Sequence, residues 1–169
     1  MAISVIALDA TLKGVSSNSY LDLAAAEVYI HQHPSHDEWD KITDDDIKKA
    51  AILWATRILS HFKWVGAPTT EEQALPWPRT GIYDLDGRAQ DEDLLPEWLL
   101  LATAELTYHL GVGDRMNDAG TEGFSKIKLG SINLEINPND RPDLIPQYIL
   151  SAIRPWMQTS KYSMSVGRS

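Results

Sequence analysis

The sequence contains no cysteine among its 169 residues. This absence excludes disulfide bonds, thiolate catalysis and zinc sites built on cysteine. The chain also lacks any apolar run near the roughly 18–20 residues that a membrane span requires. Its first ten residues, MAISVIALDA, lack the basic start and the long apolar region of a signal peptide. We therefore expect a protein that suits a reducing cytosol and has no membrane partner.

Motifs of catalytic and nucleotide-binding sites are absent as well. No G-x-S-x-G, phosphate loop, G-x-G-x-x-G or H-E-x-x-H occurs. The string DLDGRAQDED resembles a calcium loop, but Gly87 is the fourth residue from Asp84 rather than the sixth. A tight turn explains this string better. We therefore predict no enzymatic activity, no cofactor, and no catalytic or metal-binding residues.

Three histidines, His31, His33 and His36, lie within six residues and allow two interpretations. A metal site is one, because imidazole is a common metal ligand. A polar helix end followed by a loop is the other. His31 and His33 are two positions apart, and on a helix such side chains point in different directions. This spacing favours the polar helix end.

Charge is distributed unevenly along this acidic chain, whose net charge is −9. Residues 22–46 carry −7 and residues 67–100 carry −6, whereas residues 47–66 carry +4 and residues 141–169 carry +3. Affinity for a phosphate backbone depends on clustered Lys and Arg. The overall balance therefore predicts a poor non-specific nucleic-acid binder.

Apolar residues at helical spacing predict two helices in the amino-terminal half, after a short strand at residues 3–8. The first helix follows an N-cap at Asp22 and ends at Pro34. The second follows an N-cap at Thr43 and closes at Gly66. Its predicted buried face consists of residues at helical spacing: Ile47, Ala51, Trp54, Ile58 and Phe62.

Two further helices are predicted in the carboxy-terminal half. One begins near Pro96, a favoured first helical position, and is stopped by Gly111 and Gly113. It has two apolar stripes, which predicts either a central helix or one that meets a neighbouring subunit. The last helix runs from about Pro142 to Trp156.

Residues 124–136 change to a period of two, which predicts a β-hairpin with a turn at Gly130-Ser131. The register would pair Leu129 with Ile132 and Lys126 with Glu135. Two strands alone are marginally stable, so the apolar face needs a partner. We predict an intersubunit contact through its apolar residues: Ile127, Leu129, Ile132 and Leu134.

The six tryptophans are candidates for base-stacking platforms on single-stranded DNA or for core residues. Trp54 and Trp98 lie on helical stripes, which favours the core for both. Stacking on nucleic acid also requires nearby positive charge, which Lys63 supplies next to Trp64 and Arg79 supplies close to Trp77.

The loop QALPWPRTG is stiff, because Pro76 and Pro78 fix their own φ angles and restrict the residues before them. Trp77 is held between them, and the Arg79 guanidinium can form a bidentate bond to a carboxylate or a carbonyl. We predict that Trp77, Pro78 and Arg79 brace the core or a subunit contact.

The order of NSYLDLAAAEVYI, AAILWATRIL, WVG, QALPWPRTGIYDLDG and LPEWLLLATAEL resembles a family of tailed-bacteriophage proteins labelled DnaT-like single-stranded DNA-binding protein. Its members resemble head–tail connectors, also called neck or adaptor proteins. The resemblance covers roughly residues 3–156. It implies a mostly helical, non-enzymatic subunit of a twelve-membered ring below the portal protein. The ring would also meet a downstream tail or neck protein, and DNA would pass through its channel without specific binding.

The predicted fold is therefore mainly α: a small helical bundle in one domain at residues 1–157, with a β-hairpin extension and an extended tail at residues 158–169. In a connector of the virion, assembled in the host cytoplasm, this tail would dock on the portal. Its docking residues would be basic or apolar: Lys161, Tyr162, Met164 and Arg168. A tail without a role is the alternative.

Two other functions remain open. A single-stranded DNA-binding replication protein takes the family label literally and predicts a basic groove with aromatic platforms. A free-standing scaffold module with another partner is the third possibility. The acidic balance and the absence of an active site favour the connector.

Overall fold

The computed structural model describes residues 6–113, the strands at 126–129 and 132–135, and residues 145–158. The described part is mainly helical and carries a small antiparallel hairpin, which confirms the predicted fold class. No helix within these described ranges is long and apolar enough to cross a membrane. The domain boundary at residue 157 stays a prediction.

The first helix, α1 (Leu23–Ile30), begins as its sequence predicts. The Asp22 carboxylate accepts a hydrogen bond of 2.7 Å from the Ala25 backbone N–H, as an N-cap does. A short second helix, α2 (Asp37–Asp40), follows after a tight turn and was not predicted. Residues 6–8, the described part of the predicted first strand, do not form a strand.

The third helix, α3 (Asp45–Ser60), differs from its prediction at its start, at its end and in the face it buries: it ends at Ser60 rather than at Gly66. Its N-cap is Asp44 rather than Thr43, because the Asp44 carboxylate accepts from the Asp46 N–H at 2.9 Å. The predicted face is wrong for its two most exposed members: Ile47 is 52% exposed and Trp54 is 43% exposed. The buried residues lie mostly on a neighbouring stripe: Lys48, Ala51, Ile52, Ala55, Thr56 and Leu59.

The physical reason is the packing of α3 against α1 and a fourth helix, α4 (Glu97–Val112). Small side chains at Ala51 and Ala55 let the neighbouring helices approach closely. Adjacent residues on a helix point about 100° apart. The stripe of large side chains that the sequence predicts as buried is therefore rotated away from α1 and α4. As a result, Trp54 lies on the side of α3 that these helices do not cover.

The fourth helix is central to the bundle, which decides between its two predicted positions. It packs against α1, α2, α3 and a fifth helix, α5 (Gln147–Ile153). Leu99 and Leu106 belong to one core cluster, and Ala104 and Tyr108 belong to the other. Both apolar sides therefore pack mainly within one chain, while Leu101 and Val112 stay exposed.

Gly111 lies inside α4, where it allows close packing, and does not end the helix. The helix continues to Val112. A Cβ at Gly111 would lie 2.6 Å from the Trp39 ring, which is closer than side chains tolerate. The fully buried Trp39 of α2 thus fits directly against the α4 backbone.

The hairpin is confirmed in its strands and its register. Strands β3 (Lys126–Leu129) and β4 (Ile132–Glu135) are antiparallel, with Leu129 opposite Ile132 and Lys126 opposite Glu135. The turn at Gly130-Ser131 and the side chains that we assign to an intersubunit contact lie outside the described residues. That contact stays a prediction.

The fifth helix begins after Pro146, and a 3-10 turn (Arg154–Trp156) completes the predicted segment. The predicted start near Pro142 lies outside the described residues. Two very short strands, β1 (Ala67–Pro68) and β2 (Arg79–Thr80), pair within the long connection between α3 and α4. The sequence did not predict them.

Four tryptophans from three parts of the chain form one aromatic cluster, the tryptophan cluster: Trp64, Trp77, Trp98 and Trp156. Trp98 of α4 stacks on Trp156 with ring centroids 4.3 Å apart. Trp77 is 2% exposed and meets the edges of Trp64 and Trp98 at 5.6 and 5.1 Å. The indole of Trp77 therefore fills the space between the loop and α4.

Arg79 holds the same loop from its other side. Its Nε donates to the carbonyl of Val65 at 2.7 Å, and Nη2 donates to the carbonyl of Gly66 at 2.7 Å. Nη1 donates to the carbonyl of Pro76 at 3.1 Å. Burial lowers the pKa of Arg79 from its ordinary value, but an arginine at neutral pH stays charged. These contacts, with the buried Pro78, are those that a structural brace requires.

We expect Trp77→Ala to destabilise the protein by about 3–5 kcal/mol, because truncating a buried tryptophan leaves a cavity among three other rings. Equilibrium unfolding in denaturant measures the change. Tyr83→Ala, at a side chain 59% exposed in the same connection, is the control and should cost little. An unchanged unfolding midpoint for Trp77→Ala would show that the loop is not a brace.

Candidate nucleic-acid interface

Most of the tryptophans are unavailable to a ligand. Four are buried and one, Trp98, is half-buried against the core. The buried ones are Trp39, Trp64, Trp77 and Trp156. Trp54 remains, with 43% of its surface exposed. A base can stack only on a ring whose face is open, so Trp54 is the candidate platform.

Arg57 lies beside this ring on the same side of α3. The two residues are three positions apart, a spacing that brings helical side chains together. The Arg57 guanidinium carbon lies 5.4 Å from the Trp54 ring centroid, within cation–π distance. An exposed indole and an exposed guanidinium thus form one surface.

A shallow cleft of about 250 Å³ continues from Arg57 toward the end of α3. Its surface is mostly apolar, and it is lined by Asn18, Thr56, Arg57, Ser60, His61 and Leu75. His61 Nδ1 donates to the Arg57 carbonyl at 2.6 Å, since a carbonyl only accepts. Its Nε2 has no hydrogen-bond partner among the residues that the structure describes. We call Trp54, Arg57, Ser60, His61 and this cleft the Trp54 face.

The wall of the cleft is held by hydrogen bonds within the protein. Ser60 Oγ and the buried Tyr20 hydroxyl lie 3.3 Å apart. Burial raises the pKa of Tyr20, so its hydroxyl stays neutral. The Asn18 amide is engaged with its own loop, accepting from Asp9 N at 2.8 Å and donating to Ala7 O at 3.0 Å. Ser60 and His61 are therefore the polar groups best placed to meet a ligand.

The cations of the described residues divide into two groups. Most pair with carboxylates, as in Lys48–Glu27 at 2.9 Å, or with carbonyls, as Arg79 does. In residues 6–113 and 145–158, the cations with neither kind of partner are Arg57, Lys63 and Arg154.

Two of these cations lie in neighbouring segments. Lys63 belongs to the segment that hydrogen-bonds to residues 156–158, where the Val65 N–H donates to the Trp156 carbonyl at 2.9 Å. Arg154 begins the turn just before those residues. Unpaired positive charge thus gathers around the carboxy-terminal end of α3.

Acidic side chains are kept away from this region in sequence. Residues 47–66 contain no acid, while Asp44, Asp45 and Asp46 stand at the amino-terminal end of α3. Carboxylates favour that end because of the helix dipole. One helix therefore carries its acids at its start and unpaired Arg57 in its last turn.

Sequence reasoning missed Trp54 and Arg57 as a pair because it assigned Trp54 to the core. The signal that could have found them is their spacing of three within the acid-free segment 47–66. Trp64 and Trp77, to which the sequence analysis assigned a nearby cation, are buried instead. The tail residues Lys161, Tyr162, Met164 and Arg168 lie outside the described residues.

In the histidine segment, His31 and His33 point apart, as their spacing predicts. His33 does not share a site with His31, because its ring stacks on Tyr108 with centroids 4.2 Å apart. His31 instead approaches His36 and Asp40 across the turn between α1 and α2.

The predicted turn at Asp86–Gly87 contains a positive φ of 81° at Gly87.

Comparison with known proteins gives one match. The model of a family described as "Putative DnaT-like ssDNA binding protein" matches residues 6–169, nearly the whole chain. No curated protein and no solved structure matches it.

This match corrects the identification as a phage head–tail connector, which is wrong: the matching family is the DnaT-like one and not a connector family. The virion and portal-binding role inferred with it is wrong for the same reason. The twelve-membered ring, the tail-side partner and the location depended on that identification and stay untested. By its match over residues 6–169, the chain belongs to the DnaT-like single-stranded DNA-binding family.

Proposed function

We propose that this protein binds single-stranded DNA through the Trp54 face. The observation that carries the proposal is the exposed Trp54 ring with Arg57 beside it at 5.4 Å. Unpaired bases stack on aromatic side chains, and every base has a face that suits this contact. The family to which the chain belongs supports the same function.

Arg57 supplies what a stacking platform alone lacks. Its guanidinium has several N–H donors in one plane and suits a phosphate oxygen. No carboxylate of the described residues forms an ion pair with it, so binding a phosphate breaks no ion pair there. A nucleotide could therefore place its base on Trp54 and its phosphate on Arg57.

The cleft provides a path for the rest of the strand. His61 Nε2 and Ser60 Oγ offer hydrogen-bonding groups next to Arg57. In double-stranded DNA the faces of the bases are stacked on one another. In a single strand these faces are accessible to the Trp54 ring. The face thus favours single strands over duplex DNA.

The acidic balance of the chain limits the affinity but does not exclude binding. The net charge of −9 repels DNA at long range, and salt screens that repulsion beyond about 10 Å at 0.1 M ionic strength. The acid-free segment 47–66 provides local attraction. Binding would therefore rest on contacts at one face rather than on the net charge.

We expect Trp54→Ala to raise the dissociation constant for an oligo(dT) strand about 5- to 150-fold, since a base–aromatic stack is worth about 1–3 kcal/mol. Fluorescence anisotropy of a labelled strand measures this. Trp54→Phe should keep most of the affinity, because a phenyl ring still stacks. Arg57→Ala should also weaken binding.

Two residues outside the Trp54 face provide matched control variants. Tyr83→Ala removes an aromatic side chain that is 59% exposed, and Arg88→Ala removes an arginine paired with Asp84 and Asp86. Both should bind as the unmodified protein does. Equal binding by Trp54→Ala and the unmodified protein would contradict the proposed face, and no binding at low salt would contradict the function.

Salt dependence tests the role of the cations separately. For single strands the logarithm of the binding constant falls by about 0.7 per phosphate contact for each unit of log salt concentration. We expect Arg57→Ala to reduce the slope by about that amount, whereas Trp54→Phe should leave it unchanged. An equal slope in Arg57→Ala would show that Arg57 contacts no phosphate.

We propose that the protein binds DNA without catalysing a reaction, because the sequence contains none of the catalytic motifs named above. A labelled single strand incubated with the protein and Mg²⁺ should keep its length on a denaturing gel. Cleavage that co-purifies with the protein and is lost in Trp54→Ala would contradict this.

Self-association of the chain also stays a prediction, which light scattering of the free protein would test.

A further inference from the structure

Three metal-ligand side chains meet where α1 turns into α2. His31 follows the last residue of α1, His36 precedes α2, and Asp40 ends α2. Asp40 receives one imidazole on each carboxylate oxygen: His31 Nε2 lies 3.0 Å from Oδ1, and His36 Nδ1 lies 3.2 Å from Oδ2. The three ligand atoms all lie within 4.8 Å of one another.

These distances are close to those of a metal site. With zinc–nitrogen bonds of about 2.0–2.1 Å, neighbouring ligand atoms of a tetrahedral site stand about 3.3 Å apart. The histidine–aspartate separations of 3.0 and 3.2 Å need little change to reach that value. Two imidazoles and one carboxylate are also a donor set that zinc and related divalent metals accept.

Buried neighbours hold the three residues in place. Ile30, next to His31, is 2% exposed, and Trp39, next to Asp40, is fully buried. The turn between them is closed by hydrogen bonds, including Tyr108 Oη to the Ser35 carbonyl at 2.8 Å. Ligands that rest on such anchors lose little freedom when a metal binds.

The charge state and access of the cluster suit a cation. Asp40 is an aspartate between the two imidazoles and offers a carboxylate oxygen to each side. The three side chains are between 39% and 49% exposed, which leaves an open side for water. The exposed Asp37 carboxylate, 3.5 Å from His36 Nδ1, is a further oxygen within reach.

We propose that His31, His36 and Asp40 bind one divalent transition-metal ion, with zinc the best fit, and that the ion joins α1 to α2. The sequence argument against a metal compared His31 with His33, which point apart. The turn after Ile30 instead brings His36 and Asp40 to His31. In the metal-bound state each coordinating nitrogen gives up its hydrogen to the other ring nitrogen and donates its lone pair to the ion.

The test uses the full chain without an affinity tag, stripped with a chelator. Titration with Co²⁺ should produce visible ligand-field absorption that saturates at one equivalent, and Zn²⁺ should abolish it by displacement. The melting temperature should rise and reach its plateau at the same equivalence. Absence of both the absorption and one retained equivalent of Zn²⁺ would overturn the proposal and leave a hydrogen-bonded cluster only.

Variants locate the ion. His36→Gln and Asp40→Asn should each weaken Zn²⁺ binding at least about tenfold, because each removes a ligand. Glu38→Gln removes the same charge from α2 at a carboxylate that pairs with Lys41, and it should bind Zn²⁺ normally. Circular dichroism checks that all three variants fold. Equal Zn²⁺ binding by the ligand variants would show that the ion lies elsewhere.

Discussion

Four indole rings, brought together from three parts of the chain, are the contact on which the rest of the fold depends. Trp98 belongs to α4, Trp156 to the carboxy-terminal turn, and Trp64 and Trp77 to the connection between α3 and α4. Large aromatic side chains bury much apolar surface and have few rotatable bonds to order. Arg79 adds backbone hydrogen bonds around the same rings, so a long irregular connection becomes part of the core.

This use of tryptophan also explains where a ligand can bind. Because the tryptophan cluster and Trp39 occupy the interior, Trp54 is the ring left at the surface. It lies on the helix whose last turn carries Arg57, an arginine without an ion pair among the described residues. The proposed contact with DNA therefore depends on one local face of an acidic protein rather than on its net charge.

The turn between α1 and α2 shows the same separation of anchors from free groups. Ile30 and Trp39 are buried, while the polar residues next to them face solvent and one another. Backbone order imposed by the core thus extends to three exposed side chains, His31, His36 and Asp40. That order is what distinguishes the cluster from histidines scattered on a surface.

The sequence by itself determined the helical class, the start of α1 at Asp22 and the register of the hairpin, because capping and alternation are local properties. Only the tertiary structure decided which side of α3 is buried, since adjacent helical stripes differ by about 100° and the packing partners choose between them. The same holds for His31 and Asp40, nine residues apart, which meet only because α2 forms and folds back against α4.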